Sequence, residues 1–555
     1  MEKRMILAIV LSIAVLLAYQ YLVAPRKPPV APQESGRDNA ARAVAPRGGG
    51  ETAPAGPLPA VAGGLAPKSS APARQIAIAT PLYTATISTA GGGLLSVRLN
   101  EYRDVPGPKG KPLEIVGSGR SRPLPLDVYL GDSQPPFPQP PVFATNVPAV
   151  VDVRAGEKKS ISLTWESATG VRIVREYRFS ADRYDFEVGQ QASNGSREPI
   201  RLSPGIALSQ DFKGELAADS YTFTGAVVAT RGTIEQLDLK KIGKGGIEKY
   251  PVSWAAADSK YFGLILIPEK PWILEEIVLL GETGIRMSVA DAPVTLSPGE
   301  TVRSQARMFA GPKKADVLEK TGTGLEGLID YGWFSFLAKP LVWLMKAGNR
   351  VTGNYGIDII LLTILIKVLF YPLTKKSMAS MKKMQELQPI LVKLKEKYKD
   401  DAQRLNQETM NLYKTYKINP LSGCLPMLLQ IPVFIALYKG LLVTIELRHA
   451  PFFLWINDLS APEHLWDIAV AGYTIPIRLL PLLMGISMFV QQKMTPAAGD
   501  PNQQKIMLLM PVIFTFMFWG FPTGLVIYWL ANNVLSIGQQ LIHNAQDEAA
   551  KAQPA

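Results

Sequence analysis

Six long apolar runs interrupt the polar background of the chain. The first, residues 5–24, is an uncharged stretch of about twenty residues, the length that crosses the hydrocarbon core of a bilayer. The other five lie in the C-terminal part, near 356–374, 421–443, 474–492, 506–521 and 523–542. This pattern predicts a polytopic α-helical membrane protein with six spans.

The N-terminal run is compatible with either an uncleaved anchor or a secretory signal, since the basic lead Lys3-Arg4 suits both. A signal has a shorter apolar stretch, about 7–15 residues, and a small-x-small cleavage site, which is not evident here. We therefore predict a membrane anchor over 1–24. Residues 25–75 read as a flexible linker, because ten of residues 25–74 are proline and such a composition buries little apolar surface.

Residues 76–325 are predicted to form an all-β sandwich domain. Apolar and polar side chains alternate roughly along 173–179 and cleanly along 184–188, as expected for strands with one buried face. Turn signals such as Gly91-Gly92-Gly93 and Ser297-Pro298-Gly299 separate the strands. The size of the segment suits two antiparallel sheets packed face to face.

Residues 326–355 combine aromatic and basic side chains, among them Trp333, Trp343, Lys339 and Lys346. This mixture is typical of an amphipathic helix that lies in a membrane interface. A helix that packs between two domains is the alternative. We predict the interfacial helix, followed by a five-span core over 356–543 and a short tail over 544–555.

Loop charges predict the orientation. Residues 375–417 carry eleven basic and five acidic side chains, whereas residues 446–473 carry one arginine and four acids. Basic loops stay in the cytoplasm. With six spans, both termini are then cytoplasmic and the β domain lies outside.

The basic loop is predicted to form a helical hairpin over 375–418. Met378, Met381 and Met384 share one helical face, and Lys382 and Lys383 lie beside them. Methionine suits surfaces that meet varied apolar partners, although the same stripe could be the seam of the hairpin. The basic face could meet anionic lipid, ribosomal RNA or only water.

Lys367 stands in the middle of an apolar run. A charge within a span costs about 2.5–3.5 kcal/mol even on the milder insertion scale. The cytoplasmic end near Lys375 is eight residues away, roughly 12 Å along a helix, and a lysine side chain covers about half of that. We therefore predict a polar or water-containing cavity around Lys367.

Other polar residues in the runs are candidates for lining this cavity: Thr363, Gln430, Tyr528 and Asn532. Hydrogen bonds that only hold the helices together are the alternative for Gln430, Asn532 and Asn533. The only acid in the five C-terminal runs is Asp358, roughly 13 Å from Lys367 along a helix, too far for a direct ion pair. A positive group without a close counter-charge is available to a visiting segment.

The amino-acid composition mainly excludes other classes of protein and other kinds of site. Only 19% of the residues are charged, with 59 basic and 47 acidic side chains, which agrees with buried membrane segments and excludes a disordered chain. The single cysteine and three histidines exclude an intramolecular disulfide and leave little for a metal site or histidine chemistry. We expect no cofactor, no metal and no enzymatic activity.

Short motifs follow one another between Asp330 and about Gln540. They are Tyr371-Pro372-Leu373-Thr374, Asn419-Pro420-Leu421-Ser422-Gly423-Cys424-Leu425-Pro426, Gln430-Ile431-Pro432-Val433-Phe434, Pro451-Phe452, Asp500-Pro501-Asn502-Gln503-Gln504-Lys505-Ile506-Met507 and Phe521-Pro522-Thr523-Gly524-Leu525. This region closely resembles the YidC family of bacterial membrane protein insertases. The anchor and the large outer domain resemble the Gram-negative subtype by layout.

The resemblance implies a five-helix core around a hydrophilic groove that opens to the cytoplasm and to lipid, and a large periplasmic β-supersandwich. It places a positive residue in the groove, usually Arg in Gram-negative members and Lys367 here. Lysine keeps the charge but lacks the planar guanidinium of arginine, which can bind a carboxylate through two parallel hydrogen bonds. The tail lacks the long basic extension of some relatives, which leaves the loop 375–417 as the better ribosome contact.

The implied function is insertion and folding of nascent inner-membrane proteins, alone or with the Sec translocon. Expected partners are nascent membrane proteins, the Sec translocon, anionic lipids, and the ribosome and signal recognition particle system through the cytoplasmic loops, with no DNA. A passive Sec-associated scaffold is the alternative. A secondary transporter would need deep acidic sites or repeat symmetry, which the five C-terminal runs lack, and a sugar epimerase would need a histidine, absent from 25–355.

Overall fold

The computed structural model describes residues 68, 72–117, 123–130, 141–214, 217, 221–237, 249–399, 401–416, 425–470, 473–494 and 501–552. The predicted anchor over 1–24 and most of the predicted linker over 25–75 lie outside these residues. So do positions 417–424, which include the beginning of one motif, and Asp500. Strands occupy the described chain up to Pro312, and helices dominate after it.

The β-rich part of the described chain has three large sheets and one two-stranded sheet, in which residues 200–202 pair with residues 294–296. A five-stranded sheet has the order β4-β3-β2-β1-β6, a second has the order β14-β17-β18-β11-β5, and an eight-stranded sheet has the order β13-β12-β15-β16-β20-β9-β8-β7. The strands are β1 Gln75–Ala79, β2 Tyr83–Ser88, β3 Leu94–Arg103, β4 Pro112–Val116, β5 Asp127–Tyr129, β6 Val150–Asp152, β7 Lys158–Glu166, β8 Val171–Ser180, β9 Asp185–Asn194, β10 Ile200–Leu202, β11 Gly205–Asp211, β12 Gly225–Thr230, β13 Thr233–Gln236, β14 Tyr250–Val252, β15 Trp254–Asp258, β16 Phe262–Pro268, β17 Trp272–Leu280, β18 Gly284–Ala290, β19 Val294–Leu296 and β20 Thr301–Pro312.

The alternation read from the sequence matches the observed burial. In β8, Ile173, Tyr177 and Phe179 are buried and Arg172, Glu176 and Arg178 are exposed. Strands β15 and β16 are instead buried on both faces, because they lie in the middle of the eight-stranded sheet and other elements cover them. The second five-stranded sheet packs on this one through contacts of β11 and β18 with β15. The predicted all-β sandwich is therefore confirmed.

The helical part begins after the last long strand. Its helices are α1 Ala315–Glu319, α2 Ser335–Thr352, α3 Tyr355–Glu386, α4 Gln388–Lys397, α5 Ala402–Thr415, α6 Leu425–Val443, α7 Leu479–Met494, α8 Pro501–Met517 and α9 Thr523–Ala552, with short 3₁₀ turns at Leu325–Leu328, Ile445–Leu447 and Phe518–Gly520. A small hairpin of β21 Trp466–Val470 and β22 Tyr473–Ile477 precedes α7. Helices α2, α3, α6 and α9 form the centre of this part. Helix α7 packs against α9, and α8 packs against α7.

Local sequence sets several of the helix ends. Gly353 ends α2 in the left-handed conformation, φ 65°, and donates its N–H to the carbonyl of Asn349, as a C-terminal glycine does. The carboxylate of Asp401 accepts the N–H of Arg404 at 3.0 Å and caps α5.

The structure corrects two predicted boundaries. The apolar run 474–492 does not begin as a helix, since residues up to Ile477 belong to β22 and α7 starts at Leu479. The predicted hairpin over 375–418 starts within a helix rather than at a helix end, because α3 continues without a break to Glu386. Leu387 separates α3 from α4 and lies two residues before Pro389, which is in the first turn of α4.

Helix α2 has two different faces. Ala338, Leu341 and Met345 are buried against α3 and α6, whereas Trp333 (just before the helix), Phe336 and Trp343 are among the most exposed aromatic side chains of the described chain. The helix thus packs on the core and leaves an aromatic face uncovered.

One helix in the described residues, Tyr355–Met384, is long and apolar enough to cross a membrane, judged by length and composition. Two shorter apolar helices are Leu429–Val443 and Leu508–Gly520. The arrangement with six spans therefore stays a prediction.

Candidate functional site

Lys367 lies on α3 where this helix contacts α9. Its ammonium Nζ donates a hydrogen bond of 2.6 Å to the hydroxyl Oγ of Ser536. The lysine is partly buried, with exposed Val368 and Leu369 beside it in sequence. The charged group is therefore turned toward a polar side chain of the neighbouring helix.

Helix α9 presents a row of polar residues at four-residue intervals: Tyr528, Asn532 and Ser536. The Ser536 hydroxyl also donates to the carbonyl of Asn532 at 2.8 Å. The side-chain oxygen Oδ1 of Asn532 is buried and has no hydrogen-bond partner among the described residues. This acceptor lies one turn from the residue that binds Lys367. Water or a bound polar segment at this place would supply the missing hydrogen-bond donor.

Gln430 and Tyr528 form a second polar contact, between α6 and α9. Gln430 Nε2 donates to the Tyr528 hydroxyl at 2.5 Å, and Tyr528 is 1% exposed. Phe434, one turn further along α6, packs edge-on against Trp529 with ring centroids 4.8 Å apart. An aromatic layer therefore adjoins the polar contact.

Thr363 occupies a different position from the other candidates. It is 1% exposed, and its hydroxyl donates to the carbonyl of Ile359 in its own helix at 2.7 Å. Its polar group is therefore used within α3 rather than across the helices.

Asp358 forms no pair with Lys367, as the sequence predicts. Its carboxylate accepts hydrogen bonds from Asn349 Nδ2 at 3.0 Å and from the Thr352 hydroxyl at 2.8 Å. Among the residues that the structure describes, Lys367 makes no ion pair.

Asn533, for which the sequence left an interhelical hydrogen bond open, makes a buried polar contact in the bundle. Asn533 Nδ2 donates to the Ser487 hydroxyl at 3.0 Å, and both side chains are buried. This bond joins α9 to α7. Sequence reasoning did not single out Ser487 as the partner; its signal is a serine within the otherwise apolar residues 479–490 of α7.

The predicted hairpin contacts lie at the end of α3. Met378, Met381, Met384 and Lys382 are partly buried, whereas Lys383 is exposed. They continue the helix that carries Lys367, and α3 also contacts α4, which in turn contacts α5. The methionine stripe and Lys367 therefore share one continuous helix.

Two family models cover nearly all of the described chain. Residues 75–344 match the model described as the YidC periplasmic domain, and residues 347–550 match the model of the 60Kd inner membrane protein.

Curated relatives match over the full length. The chain is 40% identical over 560 residues to the membrane protein insertase YidC of Pelobacter propionicus, covering 98% of this chain and 99% of that protein. It is 40% identical over 555 residues to the protein of the same name from Syntrophus aciditrophicus, covering 98% and 100%. A crystal structure of an active YidC insertase with its first transmembrane domain resolved matches with 18% identity and a TM-score of 0.36, over 85% of this chain and 94% of that one.

An all-β domain followed by a helical region that contains one long apolar helix with a partly buried lysine fits a class of membrane proteins. The chain belongs to the YidC family of membrane protein insertases. The β-rich part is the periplasmic domain of that family, and the family is one of inner-membrane proteins.

Proposed function

We propose that this chain inserts nascent membrane proteins into the inner membrane through a polar groove built around Lys367. The observation that supports this most directly is the contact between Lys367 Nζ and Ser536, with no carboxylate paired to the lysine among the described residues. The groove would consist of Lys367, Gln430, Tyr528 and Asn532, with Thr363 packed behind them.

Hydrocarbon presents the barrier to insertion. Each unsatisfied backbone polar group there costs several kcal/mol, so a polar flank does not cross unaided. Groups that offer hydrogen bonds part-way into the bilayer shorten the apolar path. Lys367 attracts acidic residues in the moving flank, because Coulomb attraction grows as the local dielectric falls. Burial of the segment's apolar surface in lipid then drives the final step.

The membrane topology is part of the proposal. Six spans would comprise the anchor over 1–24 and a five-span core over 356–543, with the periplasmic domain over 76–325 and both termini cytoplasmic. The basic loop 375–418 would receive the segment first, through Met378, Met381 and Met384, with Lys382 and Lys383 beside them. The Sec translocon, the ribosome, the signal recognition particle system and anionic lipids are the further proposed partners.

The outer side of this region supports a groove closed toward the periplasm. The first residues of α9 are bound to the preceding loop, since Thr523 donates its N–H to the Ala461 carbonyl at 2.8 Å and Gly524 donates to Leu459 at 2.9 Å. Phe518, which is fully buried, packs against Trp529 at 5.1 Å. A polar flank would therefore meet backbone and aromatic contacts at this end.

Insertion by the purified protein in liposomes tests the proposal. The substrate is a small single-span protein with an acidic N-terminal flank, and protease protection of the flank is the readout. We expect Lys367→Leu to lower protection on the order of tenfold, corresponding to about 1.4 kcal/mol of lost attraction. Lys367→Arg, which keeps the charge, should stay close to the parent protein.

A second substrate separates the effect of the Lys367 charge from the effect of the polar groove. With the acidic residues of the flank replaced by neutral ones, parent and Lys367→Leu should insert equally well. Equal insertion of the acidic substrate by both proteins would contradict the electrostatic step. No insertion by a correctly folded parent would contradict an autonomous insertase and favour the scaffold alternative.

A further inference from the structure

Leu454 is held in an unusual backbone conformation on the protein surface. Its φ is +58°, in the left-handed region that is unfavourable for leucine and that Gly or Asn adopts more readily. The side chain is nevertheless 86% exposed. Of the described non-glycine residues with positive φ, Leu126 is buried, Arg231 and His449 are polar, and Leu454 alone is apolar and exposed.

Hydrogen bonds within the loop and to a neighbouring side chain hold the loop that carries Leu454. Phe452 N–H donates to the Ile456 carbonyl at 3.0 Å, and Ile456 N–H donates to Phe453 at 3.2 Å. Trp455 Nε1 donates to Glu463 Oε1 at 2.5 Å. The bonded loop therefore presents Leu454 outward as a fixed tip, with the ring of Phe453, half exposed, beside it.

The tip lies beside the start of the one long apolar helix of the described chain. Asn354, which precedes α3, donates Nδ2 to the Phe452 carbonyl at 3.3 Å. A Cβ on Gly356, the second residue of α3, would lie 2.1 Å from the Phe452 ring. Since Tyr355 begins the apolar helix, the loop sits at the level where that helix would leave the hydrocarbon.

The surroundings match a lipid surface rather than water. Residues 450–457 include no charged side chain. Val351 near the end of α2, three residues before Asn354, is a further apolar side chain that is 89% exposed. Exposed apolar side chains at a bilayer boundary gain by entering the headgroup and upper acyl region.

We propose that the tip formed by Phe453 and Leu454 inserts into the lipid bilayer at the start of α3 and anchors the loop 450–457 there. The backbone cost at Leu454 is offset by removal of its side chain from water. This lipid contact goes beyond the proposed function, and its test does not use insertion activity.

Depth measurements on the full-length protein in phosphatidylcholine vesicles test the proposal. In a Cys424→Ser background, Leu454→Cys carries an environment-sensitive fluorophore. Arg231→Cys, at an exposed positive-φ turn of the β domain, and Val105→Cys, an exposed apolar position, are the matched controls. We expect lipids with a nitroxide near the headgroup to quench position 454 roughly twofold more than either control. Quenching at 454 equal to the controls would overturn the proposal.

A measurement without a fluorophore uses vesicles that contain a photoreactive acyl chain. The unlabelled parent should form lipid adducts on the peptide that contains Phe453 and Leu454. Leu454→Asn, which tolerates the left-handed backbone, should fold normally and lose most of them. Absence of these adducts in the parent, with adducts present on the exposed face of α3 at Leu365 and Leu369, would also overturn the proposal.

Discussion

At the scale of single residues, the β domain contains a buried ion pair. Lys313 Nζ donates to Asp258 Oδ2 at 2.9 Å, and both side chains are less than a tenth exposed. Burial raises the pKa of Asp258 to about 6, although the neighbouring Lys313 acts in the opposite direction. The folded protein therefore holds the Asp258 proton more tightly than the unfolded chain does.

This pair predicts a specific pH dependence of stability. Because the folded pKa lies above the unfolded value, the contribution of Asp258 to the free energy of unfolding rises as the pH falls from about 7 to about 4. As the pH falls over this interval, the thermal unfolding midpoint of the parent should therefore rise relative to that of Asp258→Asn. Tryptophan fluorescence during thermal unfolding at several pH values measures the difference.

Asp104 offers a control of opposite sign. The N–H of Lys111 donates to its carboxylate at 2.7 Å and lowers the pKa of Asp104. Stability that depends on Asp104 is therefore lost as the pH falls, so the midpoint of the parent relative to Asp104→Asn should move the other way. A constant difference for Asp258→Asn across the interval would contradict the prediction.

At the scale of elements, close helix packing depends on one glycine. A Cβ on Gly485 of α7 would lie 2.0 Å from Thr515 Oγ1 and 3.3 Å from its Cβ, on α8. The Thr515 hydroxyl donates to the Pro511 carbonyl at 2.7 Å, so rotating it away would break that bond. Small residues at helix contacts allow such close approach.

We therefore predict opposite effects for two glycine-to-alanine changes. Gly485→Ala should lower the free energy of unfolding by about 1–3 kcal/mol, the usual cost of overpacking. Gly538→Ala in α9, where a Cβ would meet nothing within 4 Å, should raise it by about 1 kcal/mol through helix propensity. Reversible unfolding in mixed micelles measures both, and equal effects would contradict the packing account.

At the scale of the whole molecule, Arg448 joins the periplasmic domain to the helical part. Its Nη2 donates to the carbonyl of Arg103 in β3 at 2.5 Å, and its guanidinium lies over the ring of Phe262, 5.5 Å from the centroid. Tyr221 adds a stacked contact with Phe521, with centroids 5.1 Å apart. The planar guanidinium suits both the hydrogen bond and the stacking.

Arg448→Ala should loosen this contact without unfolding either part. We expect amide hydrogen exchange near Arg103 and Phe262 to accelerate on the order of tenfold, since a lost buried hydrogen bond to a charged group costs about 1.5–3 kcal/mol. Arg178→Ala, which removes an exposed ion pair with Glu187 inside the β domain, is the matched control and should leave these amides unchanged. Unchanged exchange in Arg448→Ala would show that other contacts dominate.

Much of the local structure followed from the sequence because its causes are local. Alternation along β8 reflects the two faces of a strand, and Asp401 caps a helix through a neighbouring N–H. Lys367 could be singled out because an isolated charge in an apolar run is costly wherever it points. The start of α7 was misplaced, since β22 is apolar too and periodicity alone does not separate a short strand from a helix.

The sequence by itself thus determined most of the element types, the family and the candidate lysine. Only the tertiary structure decided the partners: Ser536 for Lys367, Tyr528 for Gln430, and Lys313 for Asp258. These partners lie 169, 98 and 55 positions apart, and no local pattern encodes which distant side chains meet. The tertiary structure likewise decided that Leu454 projects from a rigid loop beside the start of α3, because chain folding sets both its exposure and its strained backbone.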